Sequence, residues 1–280
     1  MDVRDFAREL DIACQLARRA GEIAMRYYTT QVVVEYKGDD PSNPVTQADK
    51  DANALIVDGL AKAFPDDAIL AEESAAQESR HAHKRLWCVD PIDGTREFID
   101  RNGMFVVMIG LAIDGAAALG VLYQPTEDAL LWGAGGQAEI QQRGQTRPLK
   151  VSQIADPKQA TMVVSRSHAS KSVQRAATAL NVGKRMPLGS VGLKIARLSE
   201  GSADIYISTS SQTHEWDACG PEAVLRAAGG QMTDLCGAPL RYNKRNTATP
   251  RGMVATNGVL HEACIGALRP LAEERGWVTE

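Results

Sequence analysis

Six consecutive residues, Asp90-Pro91-Ile92-Asp93-Gly94-Thr95, place two carboxylates three positions apart beside a proline and a glycine. The apolar run before them, Leu86 to Val89, reads as a strand. That strand is expected to end in Asp90, because Pro91 has no N–H to offer a ladder. Asp93-Gly94-Thr95 then suits a turn into a short helix. Both carboxylates would reach one point, next to backbone N–H groups of the kind that bind phosphate. Carboxylates repel phosphate unless cations lie between them, so the arrangement makes sense with Mg²⁺. That ion takes a few carboxylates together with water and substrate phosphate oxygens. The plainer possibility is that Asp90 caps a turn and Asp93 caps a helix.

Three further segments carry acids at comparable places. Glu72-Glu73 follows the short strand Ile69–Leu70 directly. Glu215-Trp216-Asp217 opens a helix that ends in Gly229-Gly230. Thr46-Gln47-Ala48-Asp49 opens another and fits a capping box. Each has a bland explanation: a solvated glutamate pair, a plain N-cap, a capping box. Yet all lie at strand ends or helix starts, where ligand sites gather in α/β sheets.

The elements that must position these acids follow from hydrophobic periodicity. Residues 3–28 carry Phe6, Leu10, Ala13, Leu16, Ala17, Ala20, Ile23 and Ala24 on one helical stripe. A strand is expected at Val32 to Tyr36, a loop from Lys37 to Pro44, and a helix from Thr46 to about Phe64. The runs Phe105–Ile113, Ala117–Tyr123, Ala129–Trp132 and Ala138–Gln142 are separated by turn residues, which predicts an antiparallel meander. After about Lys150 the texture changes. Strands at Thr161–Ser165, Asp204–Ser208, Gln231–Leu235 and Met253–Ala255 alternate with helices at 170–180, 190–200, 217–228 and 258–275. The expectation is therefore an α+β half over 1–150 and an α/β half over 151–280, packed in layers.

Composition bounds the function. The chain has 280 residues, 44% hydrophobic and 24% charged, enough for a substantial core. Lys plus Arg number 31 against 35 Asp plus Glu, and a net charge of −4 argues against long nucleic acids as partners. No apolar run is long enough to span a bilayer, and the first residues lack a signal-type apolar core, so a soluble cytoplasmic protein is expected. The five cysteines are scattered with no CxxC pair, which fits reduced thiols.

Asp90-Pro91-Ile92-Asp93-Gly94-Thr95, with Trp216-Asp217-x-Cys219-Gly220-Pro221-x-x-Val224-Leu225-x-x-x-Gly229-Gly230, resembles the two signatures of the inositol monophosphatase superfamily. Glu72-Glu73 and Thr46-x-x-Asp49 match two further blocks of that family, and the resemblance spans essentially the whole chain. It implies a layered αβαβα sandwich and a lithium-sensitive, Mg²⁺-dependent phosphatase. By position, it implies metal ligands at Glu72, Asp90, Asp93, Asp217 and the carbonyl of Ile92, holding two or three ions. Asp49 and Thr95 match the residues that orient or activate the attacking water. Gly94 and Thr95 match the phosphate-binding turn, with Asp217 also facing the substrate. The implied reaction is in-line attack of a metal-activated water on a phosphate monoester, without a phosphoenzyme. Asp100 stands where the first signature usually ends in a basic or polar neutral residue, a difference expected to matter little. A homodimer is implied by the family alone.

Within the family, the second half looks most similar to the 3′(2′),5′-bisphosphate nucleotidase branch of the CysQ type, which removes the 3′-phosphate of adenosine 3′,5′-bisphosphate, a by-product of sulfate assimilation. The similar pieces include Ser165-Arg166-Ser167-His168, Gly189-Ser190-Val191-Gly192-Leu193-Lys194 and Gly237-Ala238-Pro239-Leu240. That branch has nucleotide contacts at positions matching His168, Ser190 and Lys194, and Lys194 could meet a second phosphate. Two departures stand out. An arginine that many members carry two residues after the matching tyrosine is absent from Tyr206-Ile207-Ser208, and the Ser190-to-Lys194 spacing is one residue longer than usual. No counterpart of the inositol-binding glutamate is found between Ser208 and Thr213. The alternatives are an inositol-1-monophosphatase or a fructose-1,6-bisphosphatase-like enzyme, and beyond those a non-catalytic regulatory member. A haloacid-dehalogenase reading fails, because its two aspartates stand two apart, not three, and near the N-terminus.

Overall fold

The computed structural model describes residues 2–30, 34–36, 44–166 and 170–277. His168, the loop residues 37–43 and part of the strand expected at 32–36 lie outside the described residues. A single 3₁₀ turn at Val3–Phe6 leads into α1 (Ala7–Tyr28). A two-stranded antiparallel ribbon, β1 (Val34–Tyr36) with β2 (Pro44–Thr46), precedes α2 (Gln47–Ala63). Then come β3 (Ala68–Ala71), β4 (Arg85–Asp93), the short α3 (Thr95–Ile99), β5 (Val106–Ile113), β6 (Ala116–Gln124), β7 (Ala129–Ala134), β8 (Gln137–Gln142) and β9 (Gln145–Pro148). These strands form a seven-stranded sheet in sequence order, with β3 and β4 parallel and every other pair antiparallel.

The remaining elements are β10 (Thr161–Ser165), α4 (Lys171–Ala179), β11 (Lys184–Leu188), α5 (Val191–Ser199), β12 (Ile205–Ser208), α6 (Glu215–Ala227), β13 (Gln231–Thr233), β14 (Met253–Thr256) and α7 (His261–Glu274). Their five strands are ordered β11-β10-β12-β14-β13. The first three run parallel, and β14 is antiparallel to both of its neighbours. Strand β11 escapes prediction because Lys184-Arg185-Met186-Pro187-Leu188 has no apolar alternation; it is an exposed edge, where charge and proline are tolerated.

Strand β5 shows how the layers form. Val107, Ile109 and Leu111 pack with α1 and α2, whereas Val106, Met108 and Ala112 face the other way into a core shared with α5, α6 and the five-stranded sheet. A strand buried on both faces reads as an unbroken apolar run. A third cluster joins the outer face of the smaller sheet to α4 and α7. The order of layers is thus helices, seven-stranded sheet, α5 and α6, five-stranded sheet, helices.

A row of glycines seats the middle layer. Gly110 pairs with Gly120, and Gly120 with Gly133, across β5, β6 and β7. A Cβ at these positions would lie 2.4 Å from the Gly220 nitrogen, 2.0 Å from the Gly220 oxygen and 2.6 Å from the Val224 Cα, respectively. The α6 backbone therefore lies directly on the sheet. Gly266, on the exposed face of α7, has open space around it, so Gly266→Ala is expected to stabilise the fold by about 0.5–1 kcal/mol, read as a raised melting temperature.

Candidate active site

Strand β4 does not stop at Asp90 as its proline suggests. It continues to Asp93 with a register shift against β5 between Asp90 and Asp93. Pro91 sits inside that irregularity, where no ladder N–H is required, and the Ile92 N–H turns back to Asp90 Oδ1 at 3.0 Å. Gly94 follows at φ +96°, and a Cβ there would stand 2.9 Å from the Met104 carbonyl. Only glycine fits this left-handed turn at so close an approach.

The parallel pairing of β3 and β4 sets Ala71 opposite Val89, and the Glu72 N–H extends the ladder to the Val89 carbonyl at 3.0 Å. Glu72 and Asp90 are therefore neighbours by register. Asp217 arrives from α6, whose seat on the glycine row fixes its first turn. His214 occupies the N-cap position, and Asp217, third in the helix, accepts the His214 N–H at 2.5 Å, so it closes a capping box instead of capping the helix itself. Asp90 is buried, and its own burial first, then the charges of Glu72, Asp93 and Asp217, hold its carboxyl well above the usual range. Acids from three sequence-distant segments thus lie close enough for their charges to act on Asp90.

Asp49, on the first turn of α2, is 1% exposed. Its Oδ2 accepts the Thr46 N–H at 2.8 Å and the Thr46 hydroxyl at 2.5 Å. The Thr95 hydroxyl lies 3.2 Å from Asp49 Oδ1 and 3.3 Å from the Ile92 carbonyl, so its one proton can serve either acceptor. Burial pushes the Asp49 carboxyl from 3.8 up to about 6, against the hydrogen bonds from Thr46. The folded state then keeps a proton that the unfolded chain has released between those values, so this group's contribution makes stability fall as pH rises through the window and leaves it flat above. In chelator, calorimetry of the wild type should show this loss between about pH 4 and 6, and Asp49→Asn should make the slope shallower.

The sequence-selected Ser190 and Lys194 turn toward Asp93. The Ser190 hydroxyl and the Gly192 N–H, the latter at 2.6 Å, both donate to Asp93 Oδ2. Ser190 also caps α5 by accepting the Leu193 N–H at 3.1 Å, and it does so at φ +58°, a strained value for a serine. Lys194 is 5% exposed, with Nζ 5.3 Å from the centroid of the Tyr206 ring. Burial draws its pKa down, and Asp93 and Glu97 push it back up. Asp93 is likewise raised by burial and lowered by Ser190, Gly192 and Lys194.

Sequence reasoning missed three participants. Glu97 is buried and sits against the turn: a Cβ at Gly189 would meet its Oε1 at 2.6 Å. Arg166 Nε stands 3.8 Å from Glu97 Oε1, and its Nη2 donates to Asp100 Oδ2 at 2.8 Å, so the unusual acid at Asp100 has a partner after all. Glu215, grouped by sequence with Asp217, is fully buried and faces away, accepting the N–H groups of Asn243 (2.7 Å) and Lys244 (2.9 Å). It ties the 243–244 segment to the start of α6. The available signals were the unusual acid at Asp100 and a glutamate beside tryptophan in a first helical turn.

The donor set suits a hard divalent cation, since carboxylate and carbonyl oxygens are what such ions take and the groups raising Asp90 are all acids. As the side chains stand, no three acid, histidine or cysteine groups among the described residues meet at ligating geometry. One oxygen each of Asp90, Asp93 and Asp217 is held by the N–H of Ile92, Gly192 and His214. All five cysteines are unpaired, and among the described residues no helix is long and apolar enough to cross a membrane.

Comparison with known proteins identifies the family. The model of the inositol monophosphatase family matches residues 6–273. The 3′(2′),5′-bisphosphate nucleotidase CysQ of Shigella flexneri is 37% identical over 239 residues, covering 85% of this chain and 95% of that protein. The Salmonella typhimurium CysQ is 35% identical over 248 residues, covering 88% and 99%. Among solved structures, an inositol monophosphatase from Anabaena superposes with a TM-score of 0.76 at 27% identity, covering 95% of this chain and 97% of that one. CysQ from Bacteroides thetaiotaomicron gives 0.74 at 25%, covering 90% and 98%. The chain belongs to the inositol monophosphatase family.

Proposed function

We propose that this protein is a Mg²⁺-dependent phosphomonoesterase that removes the 3′-phosphate of adenosine 3′,5′-bisphosphate. The observation that carries the phosphatase reading is the set of carboxylates acting on the buried Asp90 beside a left-handed glycine turn. The nucleotide reading is supported by 35–37% identity to bisphosphate nucleotidases over most of the chain. Glu72, Asp90, Asp93, Asp217 and the Ile92 carbonyl would hold two or three Mg²⁺. When bound, the ions would lower the pKa of a water, neutralise the phosphoryl oxygens and stabilise the leaving alkoxide.

The chain's own groups do the rest. The turn at Gly94 and Thr95 presents its backbone to the phosphate at a point that no Cβ obstructs. The Thr95 hydroxyl takes a proton from the attacking water as its own passes to Asp49 Oδ1, 3.2 Å away. Asp49, raised to about 6, is a competent acceptor near neutral pH. Ser190, Gly192 and Lys194 fix Asp93 from beneath. The family resemblance supports a nucleotide contact at His168. Five unpaired cysteines support a reducing, cytoplasmic setting. A homodimer rests on the family resemblance, and sedimentation as a monomer at micromolar concentration would refute it.

The test is phosphate release from adenosine 3′,5′-bisphosphate, inositol 1-phosphate and fructose 1,6-bisphosphate, compared as kcat/KM. A lead of at least about tenfold for the nucleotide, roughly 1.4 kcal/mol of transition-state discrimination, is expected. A lead for either of the others would assign the missing arginine after Tyr206 to a change of substrate and refute the nucleotide reading.

A further inference from the structure

A bisphosphate needs a cation for its second phosphate, and two obvious sources are closed. Tyr206 is followed by Ile207 and Ser208, neither of them basic. Lys194 is 5% exposed and turned toward Asp93 and Glu97. Arg166 stands elsewhere on the rim. It directly follows β10, at the carboxyl end of the parallel strands, and its N–H reaches the Leu188 carbonyl at 3.1 Å. Its guanidinium is separated from the phosphate turn by one side chain. Glu97 Oε1 is 3.8 Å from Arg166 Nε, and Glu97 Oε2 is 3.6 Å from where a Cβ on Gly94 would sit. The arginine side chain is 38% exposed, and Nη1 makes no hydrogen bond among the described residues.

We propose that Arg166 is the specificity-determining cation for the second phosphate of the substrate, and that Asp100 competes with that phosphate for it. The inference rests on the bisphosphate reading above. Glu97 holds the guanidinium at Nε, which aims the fork along the rim. Asp100, 50% exposed, occupies Nη2 at 2.8 Å in the free protein. A phosphate dianion presents the bidentate geometry that an arginine fork matches best, so it displaces a solvent-exposed carboxylate. A monophosphate such as inositol 1-phosphate has no second phosphate to present.

The two partners therefore act in opposite directions, which a merely structural ion pair would not do. The measured quantity is the ratio of kcat/KM for adenosine 3′,5′-bisphosphate to that for inositol 1-phosphate, in which general field effects on the reacting phosphate cancel. Arg166→Gln should lower this ratio about tenfold or more, mostly through KM for the bisphosphate. Asp100→Asn should raise it. Asp100 is half exposed, so this variant remains decisive if Arg166→Gln folds poorly. A ratio unmoved in Asp100→Asn, or moved in the same direction by both substitutions, overturns the role of Arg166 in a protein whose wild type prefers the bisphosphate. A wild type without that preference overturns the bisphosphate reading and this inference together.

Discussion

Asp93→Asn is expected to lower the rate of phosphate release by at least about 10³-fold, roughly 4 kcal/mol of transition-state stabilisation, while the circular dichroism spectrum stays that of the wild type. The side chain ends β4 at the turn and is gripped from α5 by the Ser190 hydroxyl and the Gly192 N–H. An asparagine oxygen accepts both of those hydrogen bonds, so the turn keeps its shape. What disappears is a negative charge next to Asp90. Burial first, and then the charges of its acidic neighbours, hold Asp90 above the ordinary range, and burial raises Asp93 as well, a state that bound cations would relieve. Removing one ligand weakens the field that holds those cations, and with it the stabilisation of the developing alkoxide. A variant with undiminished turnover would remove Asp93 from the chemistry altogether. Retained Mg²⁺ binding with lost turnover would assign it to orienting the ions.

The second large effect is on folding and comes from backbone packing in place of charge. Gly120→Ala puts a Cβ 2.0 Å from the Gly220 carbonyl oxygen, well inside contact distance. Neither side can give easily, because Gly120 sits at the centre of a sheet paired on both edges with Gly110 and Gly133, and Gly220 lies inside α6. Overpacking of a tight core costs about 1–3 kcal/mol, and contact with backbone puts this site at the upper end or beyond. A protein of this size should lose about 5–10 °C in melting temperature, or fail to accumulate as folded protein. Residual folded protein should also be less active, because α6 carries Asp217 into the site. Gly266→Ala, in open space, is the control with the opposite sign. A melting temperature unchanged in Gly120→Ala would mean that α6 does not lie on the glycine row.

The chemistry was the most legible part of the sequence, because Asp90, Asp93, Gly94 and Thr95 are local: an acid, a proline, an acid and a glycine leave few backbone paths. The nearness of Glu72 to Asp90 follows from one parallel register, Ala71 opposite Val89, which a pair of short apolar runs can suggest but not fix. The continuation of β4 through Pro91 was illegible, since the irregularity that admits a proline depends on β5. So was the glycine row, whose three members look like ordinary strand glycines until the sheet aligns them. Ser190 and Lys194 were picked out by the pattern, but their direction was not. Both face Asp93, because α5 begins with Ser190 as its cap and carries Lys194 one turn on, on the buried side. Glu215 and Asp217 are two residues apart in one helical turn, so they point differently, and only one of them meets Asp90.

The most direct single measurement is phosphate release from adenosine 3′,5′-bisphosphate by chelator-stripped protein as Mg²⁺ is returned, with the melting temperature followed in the same titration. The expected result is no hydrolysis in chelator, with activity and melting temperature rising together as ions fill the carboxylates around Asp90. Hydrolysis that persists in chelator, or activity that returns without any rise in melting temperature, would contradict the assignment of that acidic cluster as the metal-binding centre of a phosphatase.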